Sequence, residues 1–210
     1  MDSGAIQLRA AGPADVEAIV RVHLAAFPDF FLSRLGAGFL RQLYRTFVQD
    51  PDGICLVAHC AAAGETSRIV GFIAGSSAPA MLFRRALLHR GVAFAWAATF
   101  ALLRHPLVVG RRLAAAVRYR GDPPAGQIGS GALLSSLGVA PEARQLGVGR
   151  QLVDAFCAVA RDSKLKSVYL TTDNRDNEGV NRFYRSLGFE LSATTTRSDG
   201  RIMNTYVKSI

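Results

Sequence analysis

Two hydrophobic periodicities alternate along this chain, one typical of strands and one typical of helices. Alternating or continuous apolar runs predict strands at residues 6–10, 54–60, 68–77, 132–139 and 167–172. Helical spacing predicts one helix opening at residues 13–15 and others at about 34–49, 148–161 and 177–187. The apolar face of the last helix is expected to consist of Val180, Phe183, Tyr184 and Leu187. Gly188 is placed to end the last helix in the left-handed conformation. Residues 61–67 predict a hairpin connection, and a second hairpin around residues 198–200 closes the chain.

The order of these elements predicts an α/β fold. It reads β-α-α-β-β, an insertion, then β-α-β-α-β-β, which indicates a mixed sheet covered by helices. A length of 210 residues suits one domain, 1–210, with a helical insertion at about 79–127. Gly91, Pro106 and Gly110 are expected to break this insertion into two or three helices. Its longest apolar run, 92–103, has 12 residues, whereas a membrane-spanning helix needs about 20.

Composition narrows the class of protein. Half of the residues are apolar, which is enough for a full core, and the first residues lack the basic start and apolar run of a secretory signal. Cys55, Cys60 and Cys157 show no Cys-x-x-Cys spacing, so neither a zinc site nor a disulfide framework is indicated. We therefore expect a reduced, cytoplasmic protein without a bound metal.

The positive charge is concentrated in the insertion. Residues 79–127 hold eight arginines and one acid, Asp122, and so carry +7 of the formal net charge of +9. One interpretation is an extra helical layer with solvated arginines. A second is a surface beside the substrate cleft that binds an anionic ligand, such as an amino sugar on a nucleotide diphosphate. A third is docking on an anionic membrane through Phe94, Trp96 and Phe100. Nucleic acid is disfavoured, because these aromatic residues are not interleaved with the arginines.

The segment VAPEARQLGVGR, residues 139–150, places two glycines and two arginines where a strand leads into a helix. A dinucleotide-binding motif needs a further Gly or Ala where Leu152 stands, and a Walker motif needs Gly-Lys-Ser/Thr where Gly149-Arg150-Gln151 stands. A plain turn relieved by glycine remains an alternative. Glycine also lets a backbone approach a ligand closely, and a helix start offers unpaired N–H groups with partial positive charge. The segment therefore predicts a pyrophosphate site.

Two motifs resemble those of the GNAT N-acetyltransferase superfamily. Val139 with Arg144-x-x-Gly147-x-Gly149 is similar to the family's acetyl-CoA motif, and NEGVNRFYRSLGF, residues 177–189, is similar to its Asn-x-x-Ala-x-x-x-Tyr-x-x-x-Gly-Phe signature. Val180 stands where the family has a small alanine. The resemblance implies a mixed, mostly antiparallel sheet flanked by helices, with the helical insertion before the cofactor-binding strand.

The resemblance also implies roles for individual residues, with acetyl-CoA as the acyl donor. Tyr184 faces the sulfur and assists the departing thiolate, and Asn177 hydrogen-bonds the cofactor arm. The strand end contributes main-chain groups to the pantetheine arm and the thioester carbonyl, and the following loop binds the pyrophosphate. The main-chain contacts implied are at Leu137, Gly138 and Val139, then at Arg144, Gln145, Leu146, Gly147, Val148, Gly149 and Arg150.

The base that accepts the amine proton is left open by the sequence. Many family members carry an acidic residue shortly before the end of the strand, where this chain has Ser135 and Ser136. Asp29 and Phe30 lie in a loop that is a candidate for the substrate cleft. His23 is expected on the inner face of the first helix, and His59 lies on a strand of undetermined orientation. A chain of waters is an equal alternative.

The sequence thus predicts an N-acetyltransferase that moves an acetyl group to a primary amine of a small molecule by direct attack in a ternary complex. Cys157 is expected to be buried, so no covalent nucleophile is indicated. The alternatives are a protein or peptide amine as acceptor, and a non-catalytic acyl-CoA-binding regulatory module. A homodimer stays open.

Overall fold

The apolar runs of the sequence assemble into one mixed sheet. The computed structural model describes residues 6–60, 68–104, 131–197 and 200–210. Within them the sheet has seven strands in the order β1-β2-β3-β4-β5-β7-β6, all neighbours antiparallel except the parallel pair β4 and β5. The strands are β1 Ile6–Ala10, β2 Gly53–Cys60, β3 Arg68–Ser76, β4 Gly131–Val139, β5 Ser167–Asp173, β6 Glu190–Thr196 and β7 Ile202–Ser209. The predicted fold class, a mostly antiparallel sheet flanked by helices, is confirmed.

Helices cover both faces of this sheet. They are α1 Val16–Ala26, α2 Phe31–Arg34, α3 Gly36–Gln49, α4 Pro79–Arg104, α5 Val148–Asp162 and α6 Glu178–Ser186, with 3-10 turns at Pro13–Asp15 and Pro141–Ala143. The predicted connections at 61–67 and 198–199 lie outside the described residues, as does the part of the insertion at 105–127.

The sequence prediction of a break at Gly91 is wrong. Helix α4 runs without interruption from Pro79 to Arg104 and passes through Gly91. A single glycine costs a helix only about 1 kcal/mol relative to alanine, and strong helix formers on both sides offset that cost. Pro106 and Gly110, the other two predicted breaks, lie outside the described residues.

Each face of the sheet has its own hydrophobic core. On one face, α5 and α6 pack on the sheet, with Leu152 and Phe156 of α5 fully buried beside Leu170 of β5. On the other face, α1, α3 and α4 pack on the sheet around Ile19 and Phe72, both fully buried. Burial of side chains of this size contributes about 1.5–3 kcal/mol each. Strand β4 lies between the two cores and is accessible to groups from both.

Helix α6 differs from its predicted apolar face. Phe183, Tyr184 and Leu187 face the core as expected, but Val180 is 41% exposed, so its prediction as a core residue is wrong. Asn181 occupies the buried position instead, because its amide donates to the carbonyl oxygens of Asp173 and Asn177. Gly188 follows the helix with φ +82°, as predicted for a left-handed helix end.

Candidate active site

Strands β4 and β5 separate and leave an opening in the centre of the sheet. Their parallel pairing covers only residues 131–133 and 167–169, although β4 continues to Val139 and β5 to Asp173. On its other edge β4 stays paired with β3 up to Val139. Ser135 forms a bulge there, because Ser136 pairs with Ala74 and Leu134 with Gly75. The second half of β4 therefore presents one unpaired edge towards β5.

Backbone groups of two motif residues point into this opening. Ala140 N–H donates to the carbonyl oxygen of Val70 on β3 at 2.8 Å. Because successive strand residues direct their N–H and C=O groups to opposite edges, those of Val139 and Leu137 point away from β3, towards β5. The opening is thus lined by main-chain donors and acceptors that β5 does not pair with in the described residues.

The start of α5 has the geometry of an anion site. Gly147 caps the helix with φ +76°, and Gln145 before it has φ +66°, which is rare for a residue with a side chain. Gln151 N–H bonds to Gly147 O at 3.1 Å. In the described residues no side chain caps the helix, and no backbone carbonyl accepts from the N–H groups of residues 148–150. These donors and the positive end of the helix dipole are available to a phosphate.

Gly149 joins the two sequence motifs in space. A Cβ atom at this position would lie 3.3 Å from a ring carbon of Phe183 on α6 and 3.8 Å from a methyl carbon of Val139. The absence of a side chain thus brings the start of α5 close to α6 and the end of β4. Arg144 and Arg150 are both exposed beside this point, and the Arg144 guanidinium donates to Ala26 O at 3.4 Å.

Asn177 caps the start of α6 at the end of β5. Its Nδ2 donates to Thr172 Oγ1 at 2.5 Å and to Asp173 O at 3.2 Å. These bonds fix the orientation of the amide, which carries an acceptor oxygen, Oδ1, on its other side. The role of Thr172 in orienting the Asn177 amide was not predicted, because the sequence around Thr172 carries no motif that indicates this contact.

Tyr184 lies on the inner face of α6, 7% exposed. Its ring packs edge-on against Phe183, with centroids 5.2 Å apart, and against Phe189 at 5.5 Å. Burial raises the pKa of the hydroxyl well above its ordinary value of 10. The group therefore keeps its proton throughout the physiological range and acts as a hydrogen-bond donor.

The loop between α1 and α2 covers the opposite face of β4. A Cβ atom at Gly138 would lie 2.5 Å from a ring carbon of Phe72 and 3.3 Å from one of Phe27, so only glycine fits between these rings. The Phe30 ring lies tilted against that of Phe27, with centroids 6.0 Å apart, and is 44% exposed; Asp29 beside it is exposed too. The structure thus brings the loop of Asp29 and Phe30 next to the strand end, with Phe27 as the contacting residue.

A buried polar chain, not predicted from the sequence, reaches the same face of β4. His23 Nδ1 lies 2.6 Å from the Tyr44 hydroxyl, and an interaction with the Ser136 side chain lowers the pKa of Tyr44 against the larger rise from burial. His23 is on the inner face of α1, as predicted. Burial lowers its pKa to about 4, so the imidazole is neutral at pH 7. Ser136 thereby has partners that its sequence context did not reveal.

Other reactive side chains lie outside this site. Cys157 is buried, as predicted, and burial raises the pKa of its thiol; that of Cys55 is raised to about 12 for the same reason. A thiol held in this form is a poor nucleophile. Among the described residues no group of three or more His, Cys, Asp or Glu side chains is placed to hold a metal ion.

Comparison with protein-family models identifies the family of this chain. The model described as the acetyltransferase (GNAT) family matches residues 19–189, which include the opening between β4 and β5, the α5 entrance and Tyr184. The chain belongs to the GNAT acetyltransferase family. The family is one of acetyl-CoA-dependent N-acetyltransferases, so the predicted family and enzyme class are confirmed. A comparison with curated proteins gives no match.

Solved structures of GNAT enzymes share the fold of this chain. Ard1 from Thermoplasma volcanium aligns with a TM-score of 0.58 at 20% identity, covering 98% of each chain. The PaiA N-acetyltransferase from Thermoplasma acidophilum, solved with coenzyme A, aligns at 0.55 and 13% identity over 98% of this chain and 99% of its own. The ribosomal-protein-S18-alanine N-acetyltransferase from Escherichia coli aligns at 0.58 and 12% identity over 98% and 94%. At these identities the likeness concerns the fold alone.

Among the described helices, none combines the length and the apolar character that crossing a bilayer requires.

Proposed function

We propose that this GNAT enzyme transfers the acetyl group of acetyl-CoA to the primary amine of a small molecule, by direct attack in a ternary complex. The observation that carries the proposal is the separation of β4 from β5, whose parallel pairing stops at residues 133 and 169. This separation creates one opening in the sheet. The start of α5 lies beside the opening on one face of the sheet, and the α1–α2 loop lies beside it on the other face. A donor and an acceptor that enter from opposite faces meet there.

The residues at the α5 entrance fit a diphosphate. The N–H groups of residues 148–150 lack acceptors in the described structure, and positive φ angles at Gln145 and Gly147 shape the loop before them. Arg144 and Arg150 add full positive charges at the rim. Asn177 and the edge of β4 at Leu137–Val139 supply amide partners for an extended chain such as pantetheine. When bound, acetyl-CoA supplies the thioester whose acyl carbon the amine attacks.

Tyr184 serves the leaving group. Because burial raises its pKa, complete proton transfer from the hydroxyl to a thiolate is strongly uphill. Donating a hydrogen bond to the sulfur costs less free energy than transferring the proton. A hydrogen bond to a charged group contributes about 1.5–3 kcal/mol. The proton that the thiolate finally takes comes from solvent or from the amine itself.

The acceptor must lose a proton before it attacks. Deprotonating an alkylamine with a pKa of about 10.4 costs about 4.6 kcal/mol at pH 7. On the acceptor face the chain provides the Ser136 hydroxyl, which interacts with Tyr44, the partner of the neutral His23, and no carboxylate stands at residue 135 or 136. We assign Ser136 the role of hydrogen-bonding the incoming nitrogen, with solvent as the final proton acceptor.

The residues on the acceptor side of the opening support a small molecule as the acceptor. Phe27 lies against Gly138, and the bond from Arg144 to Ala26 O ties the end of α1 to the pyrophosphate loop. The exposed Asp29 carboxylate stands at the rim, where it attracts a cationic amine, and Phe30 beside it offers an apolar contact. Neighbours of the same fold whose names specify a protein alanine show that the fold also serves larger acceptors.

Release of free thiol from acetyl-CoA, measured across a panel of amines, tests the proposal. The panel contains aliphatic amines, polyamines, amino sugars with and without phosphate, and peptides with free N-termini or lysines. We expect acetylation of at least one small amine, with intersecting kinetic patterns typical of a ternary complex. Preference for a peptide would contradict the assigned substrate class. CoA binding without turnover of any amine would indicate a regulatory module instead.

A further inference from the structure

Helix α4 packs on the rest of the molecule through one side only. Leu82 is fully buried and Ala86 is 9% exposed. The Phe83 ring lies 6.4 Å from that of Phe47, and the Phe94 ring lies 5.2 Å from that of Phe39, so both aromatic residues face α3. These contacts fix which side of the helix faces inwards and leave the opposite side to its surroundings.

Within the described residues, the opposite side of α4 is apolar and exposed. Leu88 is 70% exposed and Val92 is 86% exposed, one helical turn apart. Met81, two turns before Leu88, and the neighbouring Leu87 are 48% and 52% exposed. A helix that packs on one side of a soluble domain normally carries polar residues on the other, and a row of exposed large apolar residues marks an interaction surface. We call Met81, Leu87, Leu88 and Val92 the apolar side of α4.

The sequence that contains this surface is rich in positive charge. Helix α4 contains four arginines and no acidic residue, and the sequence between residues 66 and 121 contains no Asp or Glu at all. Arg85 is neutralised by ion pairs with Asp50 and Asp52 at the base of the helix. Arg84 is exposed next to Met81 and Leu88. The partner must therefore bring negative charge and accept apolar side chains at the same time.

We propose that the apolar side of α4 binds the surface of an anionic phospholipid bilayer. Leu88 and Val92 enter the region between headgroups and acyl chains, while the exposed Arg84 beside them contacts a lipid phosphate. A second copy of this chain fits less well, because a two-fold contact would bring the Arg84 side chains of the two copies together. Nucleic acid would leave the apolar side chains in water. No described helix could cross a bilayer, so binding is at the interface.

Co-sedimentation of the 210-residue protein with lipid vesicles tests this inference. Vesicles of phosphatidylcholine alone are compared with vesicles that also contain phosphatidylglycerol. We expect binding to the anionic vesicles, weakened by added salt as screening of surface charge requires. The double variant Leu88→Glu/Val92→Glu is expected to weaken this binding at least about tenfold, because it removes the inserted side chains and adds two negative charges.

Leu191→Glu is the matched control, since Leu191 is 49% exposed on β6 and lies away from α4. It should bind vesicles like the parent protein, and CoA binding by both variants verifies that they are folded. Equal binding to neutral and anionic vesicles, or unchanged binding of the double variant, would overturn the proposal. The proposal would also be overturned if the parent protein self-associates without binding the vesicles and the double variant no longer self-associates.

Discussion

At the scale of single residues, two buried tyrosines of one core differ in whether their hydroxyl lies near the proposed site. Tyr184 on α6 and Tyr206 on β7 both belong to the core beneath α5. The Tyr206 hydroxyl is fully enclosed and has no hydrogen-bond partner within the described residues. Tyr184 is instead a residue of the second family motif and lies next to Phe183, which contacts Gly149 and hence the α5 entrance.

Tyr184→Phe is expected to lower kcat about 10- to 100-fold, the loss of one hydrogen bond to a developing thiolate. CoA affinity should change less than about twofold, because the ring and its packing remain. Steady-state kinetics and a CoA titration measure the two quantities. Tyr206→Phe, which removes an unpartnered hydroxyl from the same core, should leave kcat unchanged. An unchanged kcat in Tyr184→Phe would refute the donor role.

Residue roles set by local geometry are predictable from the sequence, whereas those set by distant contacts are not. Gly188 has the positive φ angle predicted for a glycine at a helix end, and Gly147 at the start of α5 adopts one too. Val180 fits a helical apolar period but points to solvent, because Asn181 finds carbonyl partners that only the fold provides. The pairing of His23 with Tyr44 joins residues 21 positions apart and has no local signal.

At the scale of elements, a hydrogen-bonded chain joins two helices to the strand that lines the opening. His23 lies on α1, Tyr44 on α3 and Ser136 on β4. The imidazole is enclosed by the rings of Phe27, Tyr44 and Phe72, and its Nε2 has no partner in the described residues. A protonated imidazole would be costly there, so this junction between elements depends on a neutral His23.

This junction makes stability depend on pH. Unfolded histidine has a pKa of about 6.5, whereas burial lowers that of folded His23 to about 4, so the unfolded chain binds the proton first. The stabilisation is complete above pH 6.5 and is lost as the pH falls towards 4. From pH 7 to pH 5, His23 should lower the free energy of unfolding by about 2 kcal/mol.

Urea unfolding at both pH values measures this loss. In His23→Asn the loss should be smaller by that amount, whereas His89→Asn, at an exposed histidine, should retain the full pH dependence. Identical pH dependence in His23→Asn and the parent protein would show that the imidazole is not held neutral.

The elements themselves were predicted with differing success. Strands such as β1 and β2 carry compact apolar runs and agree with the predicted ranges to within one residue. Helix α4 exceeds its prediction because its packing on α3 outweighs the cost of Gly91. The bulge at Ser135 was not predicted, because it depends on the register between β3 and β4, which are far apart in sequence.

At the scale of the whole molecule, the proposed acetyl transfer depends on the place where the sheet is interrupted, between β4 and β5. Two cores hold the strands from both faces, and between β4 and β5 the hydrogen bonding stops after three residue pairs. The sequence predicts the order of elements along the chain and a candidate phosphate-binding loop, but it does not predict this opening, because strand separation follows from packing over the entire sheet. Along the chain, the basic helix α4 follows β3 and precedes β4, with residues 105–130 outside the described residues between them.

Calorimetric titration with CoA tests most directly the central claim, that main-chain N–H groups at the α5 entrance bind the diphosphate of the acyl carrier. The parent protein should show saturable binding. Gly147→Ala should weaken it about tenfold, because a side chain at φ +76° strains the loop by about 1–2 kcal/mol. Gly200→Ala places the same strain at φ +83° in the β6–β7 hairpin and should leave the affinity unchanged. No heat of association with CoA, or equal affinity in Gly147→Ala and the parent protein, would contradict the account.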